Sequence, residues 1–228
     1  MKKSFLFSLG LIVAFASLFA SCSEDETISD SKDELSKHKA IDLGLPSGIK
    51  WASCNVGANS PEEYGSYYAW GQTEEKSNYD WSTYNWCNYN EYSMTKYCTN
   101  SDNGTVDNKT VLDLEDDVAH VKWGGDWRMP TKAEQDELRN ECTWSWTAQN
   151  GVNGYRVTGP NGNSIFIPAA GYSYGTDVYG RGHYGGCWSS SLGSDSSYGA
   201  YSLNLRDNQY NWDYNDRYYG LSVRPVSK

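Results

Sequence analysis

The sequence predicts an α+β fold, a loop-rich antiparallel sheet with about two helices, and three observations carry that expectation. The 228 residues hold 10 Trp and 19 Tyr against 5 Phe, so the core is built on amphipathic aromatics whose N–H and O–H groups need partners. Loop-rich β structure meets that demand more readily than a helical bundle. One segment, beginning at Thr131, joins a helix-start signal to helical periodicity. Much of the remainder is short alternating runs divided by Pro, Gly and Asn-Gly punctuation.

Taken in order, Ala40–Leu45 and Ile49–Ala52 read as strands around a Pro46-Ser47-Gly48 turn. Ser60-Pro61-Glu62-Glu63 sets Pro at a helix start with acids in the first turn, which predicts a short helix. Residues 72–110 are Asn, Tyr, Ser, Thr and Trp without sustained periodicity, a long aromatic loop. Thr131 and Glu134 are spaced as a capping box, and Ala133, Leu138 and Cys142 fall near one face of the helix that follows. Thr143–Thr147, Tyr155–Thr158 and Ser164–Pro168 alternate as strands, with Asn-Gly turns expected at Asn150-Gly151, Asn153-Gly154 and Asn161-Gly162. Tyr201–Leu205 alternates again, and Leu221–Val226 is a strand-like tail. No Pro, Gly or Ser linker divides residues 40–228, so they form one domain.

At the N-terminus, Lys2 and Lys3 precede an apolar run from Phe5 to Phe19, short for a membrane span, and small residues lead into Cys22. This resembles a bacterial lipoprotein signal peptide occupying residues 1–21. The resemblance implies cleavage after Ser21 and lipidation of Cys22, hence a lipid anchor in the membrane. Ser23-Glu24-Asp25-Glu26 resembles the acidic export signal that sends lipoproteins of gut Bacteroidetes to the outer face of the outer membrane. Residues 22–39 are polar and charged with little to bury, a flexible acidic tether. The formal charge is −10; losing Lys2 and Lys3 leaves 17 bases against 29 acids, or −12. Scattered bases in such a chain argue against a nucleic-acid partner.

Residues 172–220 are almost wholly Tyr, Gly, Ser, Asp and Asn, with no Lys or Glu, and contain ten of the Tyr residues. Rigid amphipathic Tyr rings with adaptable Ser, Gly and Asn groups make a paratope-like composition; a wet, Tyr-rich sheet edge accounts for it equally. Ile49–Gly57, Trp123–Thr131, Ile167–Tyr172 with Trp188–Ser191, and Gly220–Val226 together resemble the Fibrobacter succinogenes major paralogous domain family. That resemblance spans roughly residues 40–226 and implies a C-type lectin-like fold. The Tyr-rich stretch also looks like the variable region of proteins diversified by retroelements, in which Asn codons scatter to Tyr, Asp, Ser and His. Tyr174, Asp177, Tyr179, His183, Tyr184, Asp207, Asn208, Tyr210, Asn211, Asp213, Tyr214, Asn215, Asp216, Tyr218 and Tyr219 fit that palette and are the expected ligand-binding residues. Trp188, Trp212 and Arg224 are the expected framework. The implied partner is a protein or glycan, and Tyr210, Tyr214, Tyr218 and Tyr219 are expected to be dispensable for folding.

Catalytic and metal chemistry finds little support. The Glu-Pro-Asn and Trp-Asn-Asp motifs of calcium-dependent sugar-binding lectins are absent, with Trp212-Asp213 the nearest echo. Asp116 and His120 would share a helix face, yet a third ligand is missing and an acidic first turn explains them. No Gly-x-Ser-x-Gly elbow or His-Glu-x-x-His helix accompanies His120 or His183. No metal, cofactor or catalytic residue is therefore expected. Two alternatives to ligand binding stay open: a structural cell-surface component, and an enzyme of the formylglycine-generating type, which works through a cysteine pair on a related fold. Cys54, Cys87, Cys98, Cys142 and Cys187 are an odd set after lipidation, with Cys87–Cys98 the first candidate disulfide in an exported protein; the alternative is that all five are small buried hydrophobes.

Overall fold

The structure is a computed structural model that describes residues 38–228. The expected signal peptide, Cys22 and the tether up to residue 37 lie outside the described residues. The described residues form a mostly antiparallel α+β fold with two α-helices, in line with the expected fold class.

The two ends of the described residues meet in one sheet. Strands β1 (Ala40–Asp42) and β2 (Lys50–Ala52) pair antiparallel around the turn at Leu45–Gly48, and β11 (Val226–Ser227) pairs with the other edge of β2. Arg224, just before β11, is fully buried and donates to Asn55 Oδ1 (2.8 Å), Ala52 O (3.0 Å) and Phe166 O (2.8 Å). Burial pushes this guanidinium down to about 10, because no carboxylate accompanies it. Two of the four stretches quoted above, Ile49–Gly57 and Gly220–Val226, thus meet at one side chain.

The expected helix at Ser60–Glu63 is a turn instead, closed by Glu63 N donating to Ser60 O. Its acids are taken up elsewhere: Glu63 accepts from Asn59 N, and Glu62 accepts from Gln149 and Asn150. Gly65 ends the segment at φ 72, where a Cβ would sit 2.4 Å from Val56 O. Residues 72–110 contain only short 3-10 turns, at Trp81–Thr83 and Ser101–Asn103, with isolated bridges, as a long loop should. It is nevertheless packed, because Tyr79, Tyr84, Met94, Tyr97 and Cys98 are buried. Its organiser is Arg217, fully buried from the far end of the chain, which donates to Tyr84 Oη, Tyr97 O, Ser197 O and Lys96 O and lies 4.9 Å over Trp70.

Helix α1 (Val118–Trp123) is capped by Asp117, and α2 (Lys132–Glu141) carries the predicted capping box between Thr131 and Glu134. The buried residues of α2 are Gln135 and Leu138, whereas Ala133 is exposed and Cys142 lies beyond the helix end, only partly buried. The meander β3 (Thr143–Gln149), β4 (Val152–Thr158) and β5 (Ser164–Pro168) follows. Asn150-Gly151 closes the first hairpin with both residues at positive φ, and Asn161-Gly162 lies in the second turn. Asn153-Gly154, expected to be a turn, lies inside β4, where a side chain at Gly154 would meet Ile167 O at 2.3 Å.

The largest departure concerns residues 172–220. Beyond the expected strand at Tyr201–Leu205 they form a hairpin, β6 (Tyr172–Tyr174) with β7 (Asp177–Tyr179), and a three-stranded sheet of β8 (Tyr184–Leu192), β9 (Gly199–Arg206) and β10 (Gln209–Asp216) in the order β10-β9-β8. β8 escaped periodicity because its Gly and Ser residues are demanded by close approach. A Cβ on Gly185 would meet Ala169 Cα at 3.1 Å. The five cysteines are unbridged: Cys87 Sγ donates to Trp81 O and Tyr84 O, and Cys98 Sγ to Asn100 O, so the Cys87–Cys98 bridge is not made.

Candidate functional site

Strand period divides the expected ligand-binding residues between two faces. On β10 the register sets Tyr210, Trp212 and Tyr214 opposite Leu205, Leu203 and Tyr201, on the face that packs against α2. Tyr210 stacks on Trp144 at 4.7 Å between ring centres. Trp212 donates from Nε1 to Asp136 Oδ1 and lies under Lys132 Nζ at 4.7 Å. Tyr214 Oη accepts from Asp195 N at 2.6 Å, closing the loop before β9. Tyr210, Trp212 and Tyr214 are thus held in packing contacts on this face, each only partly buried. Tyr218 lies deeper: it is 8% exposed and packs on Trp81 at 4.7 Å.

The opposite face carries Tyr184, Arg206, Asn204, Asn211, Asp213 and Asn215, by the registers of β8 with β9 and β9 with β10. Here Asp213 accepts from Asn204 Nδ2 and from Tyr214 N, and Asn215 Nδ2 donates to Ser202 Oγ at 2.7 Å. A tyrosine cluster borders it. Tyr172 contacts Tyr179, Tyr184 and Tyr219 at 5.5–5.8 Å, and Tyr174 contacts Tyr218 and Tyr219 at 6.0 and 5.3 Å. Burial raises the Tyr184 and Tyr219 hydroxyls above their usual range, so both stay protonated. Burial likewise raises the Asp216 carboxyl, with Glu91 adding to it.

Between the rings lies an open concavity of about 310 Å³ lined by Tyr172, Tyr184, Arg206, Asn215 and Tyr219. A second, of about 200 Å³, continues from Arg206 along Asn204, Gln209, Asn211 and Asp213. Tyr174 and Tyr179 are 46% and 44% exposed beside the first. Asp207 and Asn208 form the tip of the β9–β10 hairpin, with Asn208 at φ 59, while His183 precedes Tyr184 in a turn and Asp177 opens β7, all exposed. Arg206 is the lining residue that composition did not reveal. Its alternation with Asn204 and Ser202 on β9 was the available signal, invisible without the strand's true length.

Elsewhere the chemistry is quiet. Among the described residues one group of three acids, Asp113, Glu115 and Asp116, has carboxylate oxygens within 4.8 Å of one another, and the Lys96 ammonium sits among them at 3.1, 3.1 and 2.5 Å. Asp116 ends a 3-10 turn and His120 belongs to α1, its Nδ1 facing Trp127 O at 3.3 Å, so they do not share a helix face as expected. Burial pushes the Cys142 and Cys187 thiols up to about 11 and raises Cys54 and Cys87, the opposite of an activated nucleophile.

No protein-family model, curated protein or solved structure matches this chain.

Proposed function

We propose that this chain is a non-enzymatic lipoprotein, anchored through Cys22 to the outer membrane and facing the exterior, whose C-type lectin-like domain binds a protein or glycan ligand. The observation that carries the reading is the open concavity among Tyr172, Tyr184, Tyr219, Arg206 and Asn215, bordered by exposed Tyr174 and Tyr179. Tyr rings stack on a ligand at low entropic cost while amide and hydroxyl groups fix its orientation. Buried thiols with raised pKa values favour binding over cysteine chemistry. The lectin-like assignment and the membership of the Fibrobacter succinogenes major paralogous domain family rest on the four sequence stretches. Two of them, Ile49–Gly57 and Gly220–Val226, meet at buried Arg224, which supports a framework role for that pair.

The decisive experiment replaces Tyr174, Tyr179 and Tyr219 by Ala and screens binding to immobilised glycans and host surface proteins alongside thermal unfolding. Binding should be lost with the fold retained; unaltered binding would sink the reading. The diversification part is tested in the genome. A near-copy of the coding sequence for residues 172–226, differing at adenines, supports it, and an isolated gene removes it.

A second reading, a surface component that makes subunit contacts, draws on β7. All three of its residues are exposed, and it pairs only with β6 among the described strands, leaving an open edge of the kind that adds strands from a neighbour. Sedimentation of the delipidated chain over a wide concentration range decides between them, since association through β7 would appear as concentration-dependent dimers.

A further inference from the structure

We infer that the Tyr172–Tyr219 concavity takes an acidic monosaccharide unit, with Arg206 holding its anionic group and the tyrosine rings and Asn215 holding the pyranose. This rests on the binding reading above and narrows it to one ligand class. The lining is three tyrosines, one guanidinium and one amide, with no carboxylate, in a chain where acids outnumber bases 29 to 19. Arg206 lies over the Tyr184 ring at 5.1 Å and makes no ion pair or hydrogen bond through its guanidinium to any described residue. An exposed guanidinium laid on an aromatic face is oriented yet keeps its N–H fork free, and that fork matches a carboxylate or sulfate in two-point fashion.

The neighbouring acids form no ion pair with it. Asp213 spends its oxygens on Asn204 Nδ2 and Tyr214 N. Asp216 is partly buried, and burial favours its protonated form. The rest of the lining suits a polyol. Tyr172 and Tyr184 have hydroxyls without a partner among the described residues, and Asn215, its Nδ2 given to Ser202, keeps Oδ1 as an acceptor. A hollow of about 310 Å³ is at the small end of ligand sites, which extend from roughly 300 to 1,000 Å³, so it accommodates a single sugar ring.

Saturation-transfer NMR on the full chain tests this with galacturonate, glucuronate and N-acetylneuraminate, their methyl esters, and glucose 6-sulfate. At least one acid should bind, its methyl ester should bind about tenfold more weakly or worse, and Arg206→Gln should impose a similar loss without changing thermal unfolding, since one charge-assisted hydrogen bond is worth roughly that factor. Binding of glucose 6-sulfate alone assigns the anion as sulfate; binding of the sugar acids assigns it as carboxylate. Equal binding of acid and ester, or no effect of Arg206→Gln, overturns the acidic-sugar inference. If Tyr219→Ala still abolishes binding in that case, the tyrosine-face reading survives. If no acidic sugar binds at all, the inference is also overturned, and a protein captured through Tyr174 and Tyr179 would then leave only the broader reading standing.

Discussion

At the scale of single residues, exposure and hydrogen bonding separate tyrosines that composition treats alike. Tyr210 and Tyr219 lie nine residues apart in one Tyr-rich stretch, yet Tyr210 is stacked on Trp144 and packed against the Leu203–Leu205 core. Tyr210→Ala should therefore cost about 2 kcal/mol of stability in urea titration while leaving ligand binding to the folded fraction intact. Arg217 gives a sharper contrast with Arg206. Removing the Arg217 guanidinium strands three main-chain carbonyls in the interior and takes one donor from Tyr84 Oη, which keeps its own bond to Trp70 O. Arg217→Met is expected to destabilise by about 3 kcal/mol or more, since each buried unsatisfied group costs about 1–3 kcal/mol. Arg206→Gln should stay within about 0.5 kcal/mol, as exposed substitutions generally do.

Elements show how local signals succeed or fail. The Thr131–Glu134 capping box formed as predicted because both of its hydrogen bonds are local and need no tertiary partner. Arg128 then pairs with Glu134 through both nitrogens. Burial raises the Glu134 pKa, and the Arg128 hydrogen bonds and Thr131 N lower it by more, so it ends below its usual 4.5. A carboxyl depressed on folding stabilises above its unfolded pKa, and that contribution is lost as pH falls through the folded value. Thermal stability should accordingly drop below about pH 4.5, and Arg128→Gln should flatten this contribution; an unchanged acid limb would show that the pair is idle. The Ser60–Glu63 segment failed the same kind of reading because a Pro and two acids start a helix only if an apolar face follows, and Tyr64-Gly65 supplies none.

For the whole molecule, five unbridged thiols among the described residues mean that covalent staples contribute nothing to the stability of that part. Reductant should leave the unfolding midpoint unmoved, and maleimide should label Cys54, Cys87, Cys98, Cys142 and Cys187 in denatured protein; a missing pair would reveal a disulfide. Stability rests instead on aromatic clusters closed by long-range contacts, with the Tyr68, Trp188 and Leu221 neighbourhood joining segments far apart in sequence.

The sequence by itself determined the α+β class, the α2 helix with its capping box, the β3–β5 meander with two of its three Asn-Gly turns, and the paratope-like composition of residues 172–220. These are properties of a few neighbouring residues, set by propensity, period and turn chemistry. Only the tertiary structure decided which tyrosines border the concavity and which pack on the other face, because a strand sends alternate residues to opposite faces and its register depends on partners elsewhere in the chain. The same holds for Arg206 and Arg217, both arginines in one Tyr-rich stretch. One lies free on Tyr184, and the other is locked under a loop more than a hundred residues upstream in sequence. Nothing local to either position distinguishes them.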